Sequence, residues 1–242
     1  MKKLLSALIL LVLALYVSAQ DDFGMWYSVG AEKKIDKKLS VEAEAEFRTR
    51  NDSKTVDRWT GALDLSYKIL PWLKASGGYK FLYNNNKEKI TYNANGAYNN
   101  WRPSYWSTRH RLHLDLTGSL TLGDFEFSLR ERWQYTYRPE ATTTRYDFDN
   151  SKWEDTTVKG KGKNVLRSRL QVEYDIPHSK ITPYASVELF NAWSLQKTRY
   201  TLGADWKLNK KHEIGAYYRY QNVNDDDEPN GHVLGLSYKF KF

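Results

Sequence analysis

Chemistry in this chain has to come from five histidines, its serines and carboxylates, and arginine, because its 242 residues include no cysteine. Without thiols there is no thiolate metal site, no disulfide framework and no lipid-modified N-terminal cysteine. A hydrolytic pair carried on a strand would take the form His-x-Ser, which sets base and nucleophile on one face. That pattern does not occur. His178 and Ser179 are adjacent, so on extended backbone they point apart, and they fall in an expected short turn. His113-Leu114-Asp115 shares a face, but its place in the middle of an alternating segment suits an internal hydrogen bond. His110, His212 and His232 have no neighbours at metal-ligand spacing. No catalytic residue, metal ligand or cofactor is assigned, and the chain reads as a non-enzyme.

The elements that must hold these groups repeat with period two. Residues 39–50 place Leu39, Val41, Ala43, Ala45 and Phe47 on one parity, and Ser40, Glu42, Glu44, Glu46, Arg48 and Arg50 on the other. Alternate side chains of a strand face opposite ways, so such a segment is apolar on one side and charged on the other. The same pattern covers 58–69, 73–83, 108–122, 125–138, 165–176, 181–190, 198–208, 213–221 and 232–242, and residues 23–32 make an eleventh segment. Glu131 breaks the apolar parity of 125–138, which predicts a bulge or a shifted boundary there.

Composition narrows the class. A mean hydropathy of −0.72 cannot supply several helical membrane spans. An aromatic content of 15% is too high for a disordered chain. The N-terminus has a basic Met1-Lys2-Lys3, a 14-residue apolar run from Leu4 to Val17 and small residues at Ser18-Ala19. This is the pattern of a removable export signal over 1–19, with the mature chain at 20–242. Removal of Lys2 and Lys3 lowers the net charge from +8 to +6. Export also argues against the nucleic-acid partner that a basic chain otherwise suggests.

Alternation would also suit a soluble, secreted sandwich that binds carbohydrate through Trp and Tyr. Connection length separates the two readings. Short links at 33–38, 70–72, 123–124, 177–180 and 209–211 alternate with longer polar ones at 51–57, 84–107, 139–164, 191–197 and 222–231. Transmembrane barrels have short turns at one rim and long loops at the other. Trp72, Phe125, Phe127 and Trp206 fall beside short turns, and Trp59, Tyr83, Trp133, Tyr135, Tyr137, Tyr218 and Tyr220 lie toward long loops, as two aromatic girdles would.

Tyr238-Lys239-Phe240-Lys241-Phe242 closes the sequence on an aromatic within an alternating strand. Here the chain resembles the outer-membrane β-barrel class, whose last strand commonly ends in Phe and is read by the barrel-assembly machinery. That resemblance implies Tyr238, Phe240 and Phe242 as an assembly signal. Five further stretches narrow it: Asp22-Phe23-Gly24-Met25-Trp26, Gly30-Ala31-Glu32-Lys33-Lys34, Glu46-Phe47-Arg48-Thr49-Arg50, Asp57-Arg58-Trp59 and Gly77-Gly78-Tyr79-Lys80-Phe81. They resemble an uncharacterised, domain-of-unknown-function family of bacterial outer-membrane barrels, over essentially the whole mature chain. The resemblance implies fold, location and contact with outer-membrane lipid and lipopolysaccharide, and brings no activity.

The expected architecture is an all-β, antiparallel up-and-down transmembrane barrel of 10–12 strands. Eleven segments are awkward, because such barrels normally have an even count. Either 23–32 is not a full spanning strand, or a further strand lies between Lys89 and Tyr98.

With the C-terminus at the periplasmic rim, the charged parity sorts by height. Arg48, Arg50, Arg58, Arg109, Arg111, Arg138, Arg167, Arg169, Arg199 and Arg219 fall toward the outer rim, with Arg130 and Arg132 nearer the middle. Glu42, Glu44, Asp64, Asp115, Glu126, Glu173, Asp175, Asp205 and Glu213 fall lower, and Glu188 is the exception. An arginine layer over an acidic layer admits two readings. One is an interior cross-linked by ion pairs, with a structural or surface role; the other is an electropositive mouth that binds or passes a small anionic solute. A lipid-modifying enzyme is the alternative, and it requires Ser, His and an acid to meet on the lipid face. Lys159-Gly160-Lys161-Gly162-Lys163 and Asp225-Asp226-Asp227-Glu228 read as solvated loops that could meet lipopolysaccharide.

Overall fold

The protein was analysed as a computed structural model that describes residues 21–224 and 230–242. The expected signal segment 1–19 and the acidic run Asp225–Glu228 lie outside the described residues. The described residues form fifteen strands: β1 (Asp22–Lys34), β2 (Leu39–Arg50), β3 (Thr55–Leu70), β4 (Leu73–Asn86), β5 (Lys89–Tyr92), β6 (Tyr98–Arg102), β7 (Tyr105–Leu122), β8 (Phe125–Arg138), β9 (Ala141–Asp147), β10 (Lys152–Val158), β11 (Lys161–Tyr174), β12 (Ile181–Asn191), β13 (Leu195–Lys207), β14 (His212–Val223) and β15 (Gly231–Lys241). Eleven of them, β1–β4, β7, β8 and β11–β15, close into a single barrel in chain order. The sheet seals on itself, so the sandwich reading is excluded.

The odd count is settled at the seam. In a meander of eleven strands the first and last run in the same direction, so they can close the barrel only as a parallel pair. β1 and β15 pair in parallel from Asp22 opposite Gly231 to Glu32 opposite Lys241. Amide bonds from Asp22 to the Asn230 carbonyl and from Phe242 to the Glu32 carbonyl, both 2.9 Å, fasten the two ends. Residues 23–32 therefore form a full wall strand, and the barrel falls within the expected 10–12.

Outward and inward faces are reversed relative to a water-soluble protein. Outward Leu63 and Leu114 are 60% and 61% exposed, whereas the buried set includes His113, Asp115, Gln134 and Glu188. Such an inversion is what a barrel wall requires when its outer side meets hydrocarbon and its inner side is polar. No helix among the described residues is long and apolar enough to cross a membrane.

Glu131 does not mark a bulge. β8 pairs with β7 and β11 without any register shift, and Glu131 simply faces outward, where the Ser168 hydroxyl donates to it at 2.7 Å. The irregularities lie elsewhere, including one between Arg48 and Thr49 opposite Arg58 and Val56.

The long links 84–107 and 139–164 are not loops. β5, β6, β9 and β10 pair as a separate four-stranded sheet in the order β10-β9-β6-β5. The segment between Lys89 and Tyr98 thus supplies β5 and a turn of this outer sheet, and no barrel strand. It is raised on the β4–β7 and β8–β11 pairs, at the rim that also carries the β2–β3, β12–β13 and β14–β15 links. The links at the opposite rim are short: Gly123, at φ +60°, supplies the left-handed residue of the two-residue β7–β8 turn. In the β1–β2 turn Asp36 accepts the amides of Lys38 and Leu39 at 2.6 and 2.8 Å, which holds its carboxyl below the usual range.

The seam is directly testable, because the chain has no native cysteine. Val29 and Tyr238 are register partners across it. The doubly substituted protein Val29→Cys/Tyr238→Cys is expected to form an intramolecular disulfide on mild oxidation, seen as a shift in non-reducing electrophoresis. The pair Val29→Cys/Leu234→Cys, displaced four residues along β15, should not cross-link.

Candidate functional site

Alternation on each wall strand aims its charged parity into the lumen, and the heights anticipated from the sequence bring most of the arginines together. They line a cavity of about 660 Å³ opening toward the long-link rim. Arg48, Arg50, Arg58, Arg109, Arg111, Arg138, Arg167, Arg199 and Arg219 contribute to it, joined by Arg132 from nearer the middle. With Lys80, Lys87, Lys161, Lys163 and Lys197 that makes ten arginines and five lysines against four carboxylates: Asp22, Glu44, Glu46 and Asp57. Arg169 is inward but not on the cavity wall; it pairs with Arg130 and Glu188 in register below it.

The Lys159–Lys163 tract is a different object from the expected solvated loop. From Lys161 onward it belongs to β11, and alternation turns Lys161 and Lys163 into the chamber. Gly162 between them leaves the outer side free for the Tyr135 ring, which a side chain there would strike.

Several of these guanidiniums donate to neutral oxygens. Arg111 Nε donates to Thr136 Oγ1 at 2.9 Å, Arg219 Nε to Thr201 Oγ1 at 3.0 Å, and Arg199 Nε to Gln221 Oε1 at 2.8 Å. Three of the cations surround one ring, with the Arg48, Arg219 and Arg199 guanidinium carbons 3.6, 5.0 and 5.2 Å from the Trp26 centroid. Arg167 and Arg199 sit at 4.4 and 4.5 Å from the Phe190 ring. Quadrupolar ring faces are a favourable wall for clustered cations.

The carboxylates that are present act as clamps. Glu188, the exception to the height rule, accepts two bonds of 2.8 Å from Arg167 and one of 2.5 Å from Arg130, with Arg199 at 3.8 Å. It is the floor of the arginine layer. Glu46 takes a bidentate pair from Arg48, and Asp115 another from Arg132. Asp57 enters the lumen only because the β2–β3 irregularity gives it an unopposed place beside Arg58; there it accepts from Arg50 at 3.2 Å.

Below lies the acidic layer, paired mainly with lysine. Glu44 meets Lys80 at 3.1 Å, Glu42 meets Lys239 at 2.8 Å, and Glu213 meets Lys241 at 2.7 Å. Glu173 accepts from Gln171 at 2.7 Å. Asp205 stands over Gly215, where a β-carbon would collide with its carboxylate. His113 contacts Asp64 at 2.6 Å, not Asp115. The register runs Asp64, Gly78, His113 across three strands, and the missing side chain at Gly78 lets the outer two meet. Asp175 is a correction: β11 ends at Tyr174, so Asp175 is exposed in the β11–β12 turn and takes no part in the lumen.

Trp26, Phe190, Glu46 and Asp57 are site residues that the height sorting does not single out. Phe190 ends the apolar-looking 181–190 segment, but its even parity matched that of Glu188 and was the available signal. For Asp57 there was none, because a bulge is invisible to a period-two count.

On the outer face each of three histidines is engaged by a tyrosine hydroxyl: His110 by Tyr79 at 2.7 Å, His232 by Tyr218 at 2.7 Å, and His212 by Tyr238 at 2.6 Å. The outward Ser168–Glu131 pair has Leu116 and Leu189 as its lateral register neighbours, with no histidine in that row. Among the described residues no cluster of three or more His, Cys, Asp or Glu could hold a metal ion.

Glu188 carries the sharpest test of this site. Glu188→Gln leaves Arg130, Arg167 and Arg199 facing one another without their carboxylate. A loss of about 3 kcal/mol is expected, read as a lower temperature at which the folded, fast-migrating band disappears in electrophoresis. Glu131→Leu should move that temperature the other way, by about 1 kcal/mol, since it removes a carboxyl from an apolar outer face.

The β-domain of the Bordetella autotransporter Brka is 14% identical to this chain, with a TM-score of 0.58 over 86% of both chains. The NanC porin is 14% identical over 90% of this chain and 95% of its own, with a TM-score of 0.46. The likeness to the autotransporter domain is one of fold, that of outer-membrane β-barrels. No curated protein matches the chain. The family described as protein of unknown function (DUF2490) matches residues 23–232, and the chain belongs to that family.

Proposed function

We propose that this protein sits in the outer membrane after removal of residues 1–19, and that its arginine-lined chamber binds and passes small anions. The observation that carries this reading is the lining itself: ten arginines and five lysines against four carboxylates around about 660 Å³. Water screens such a charge poorly inside a protein wall, so the mouth focuses a positive potential and draws in carboxylates, phosphates or sulfates. Guanidiniums held by Thr136, Thr201 and Gln221 are already oriented, which favours bidentate contact with an oxyanion.

In this placement the long-link rim faces outward and the short turns face the periplasm. The aromatic girdles, with outward Trp59, Trp133 and Trp206, lie at the two interfaces, and Lys159 at the rim meets lipopolysaccharide phosphates. Tyr238 and Phe240 near the end of β15, with Phe242 just beyond it, present the strand to the assembly machinery. No reaction is assigned to the barrel, because the outward histidines, the Ser168–Glu131 pair and the lumen carboxylates meet in no nucleophile–base arrangement.

Purified barrel reconstituted into planar bilayers under a potassium chloride gradient is expected to give a reversal potential of the anion-preferring sign. Arg58→Glu/Arg111→Glu should lower the anion-to-cation permeability ratio several-fold. Cation preference, or the absence of conductance, would defeat the reading.

A further inference from the structure

Neither the barrel nor its charge explains the outer sheet. One register row crosses all four of its strands, Ile90, Trp101, Tyr146 and Trp153, so these side chains share a face. Ring contacts extend the row into a continuous band. Trp101 meets Trp153 at 5.5 Å, Trp153 meets Tyr146 at 5.4 Å, Tyr146 meets Phe148 at 5.1 Å, Phe148 meets Tyr98 at 5.3 Å, and Tyr98 meets Tyr92 at 5.4 Å. The band is not a buried core: Tyr92, Tyr98 and Trp153 are 59%, 55% and 53% exposed.

Charge is segregated across the sheet. Lys89 opposite Arg102, Arg145 opposite Glu154 and Lys152 opposite Asp147 occupy the alternate rows, hence the other face. The ring face continues instead with Thr144 opposite Asp155 and Thr142 opposite Thr157. Trp101 Nε1 donates to Glu88 at 3.0 Å, which fixes the indole in place. This face offers ring surfaces of negative potential and oxygen acceptors, and its register rows carry no cation.

We propose that the ring face of the outer sheet is a carbohydrate-binding platform for a neutral glycan. The C–H faces of pyranose rings carry the slight positive polarisation that aromatic faces attract, and their hydroxyls donate to the Thr, Asp and tyrosyl oxygens around the band. An acidic ligand is disfavoured here because the sheet keeps its cations on the opposite side. A lipid surface is disfavoured because the hydroxyl and carboxylate rows would be left without donors. The site is separate from the arginine chamber and stands whether or not the chamber conducts.

The test is calorimetric titration of the detergent-solubilised full-length barrel with three neutral probes: cellohexaose, maltohexaose and a mannan hexasaccharide. At least one should bind saturably, and Trp153→Ala and Tyr98→Ala should each weaken it tenfold or more. Arg145→Gln on the opposite face, and Arg111→Gln in the chamber, should leave binding unchanged. Retained heat-modifiable mobility of each variant shows that the barrel is folded, since none of the outer-sheet strands belongs to its wall. The proposal is overturned if no probe binds or if binding survives Trp153→Ala. It is also overturned if the protein self-associates through this face, shown by a dimer in sedimentation that Trp153→Ala dissociates.

Discussion

Side chains that point into the barrel must take their hydrogen bonds and counter-charges from the same closed wall, and this constraint arranges the interior. Nearest-neighbour strands supply part of the answer, as in Arg132 with Asp115 and Lys241 with Glu213. Pairs that skip a strand supply the rest, and they need room over the residue between. Gly78 gives it to Asp64 and His113, and Ala62, between Glu44 and Lys80 in register, gives it to that pair. At Glu188 the intervening residue is Arg169, and the longer reach of Arg130 still closes the contact. Small residues on the inward parity are thus packing decisions, and their positions follow from which long side chains must meet.

The same constraint is met unevenly along the barrel axis. Lysine–carboxylate pairs nearly balance the lower half, while above Glu188 the cations outnumber the carboxylates and lean on Thr, Gln and aromatic faces. Such an excess costs stability through mutual repulsion, so a chain that keeps it at one end only has placed a field there. That asymmetry ties the packing to the proposed anion chamber. The cross-linked interior and the electropositive mouth, which the sequence left as rival readings, occupy different heights of one lumen.

Much of the wall could be read from period two, because each spanning strand meets an apolar exterior on one side only. The arginine heights needed only a direction for the last strand, and nine of the ten arginines placed toward the outer rim line the chamber. What escaped has physical causes. Parity says which face a residue takes, not which strand it neighbours or in which direction, so the parallel seam at Phe23–Glu32 looked like a surplus strand. A bulge adds one residue and erases its own trace, which hid Asp57. Asp175 kept the right parity one residue past the end of β11. Strands β5, β6, β9 and β10 are 4 to 7 residues long and set among Asn, Thr and Asp, so their alternation was too brief to stand out from loop composition.

The central claim is that the arginine-rich chamber is an anion site, and equilibrium binding of inorganic phosphate to the folded, detergent-solubilised barrel tests it most directly. Saturable binding that weakens as salt rises, and that is lost in Arg58→Gln/Arg111→Gln while the barrel keeps its heat-modifiable mobility, is the predicted result. Phosphate uptake that never saturates, or that is the same with and without those two arginines, would contradict it.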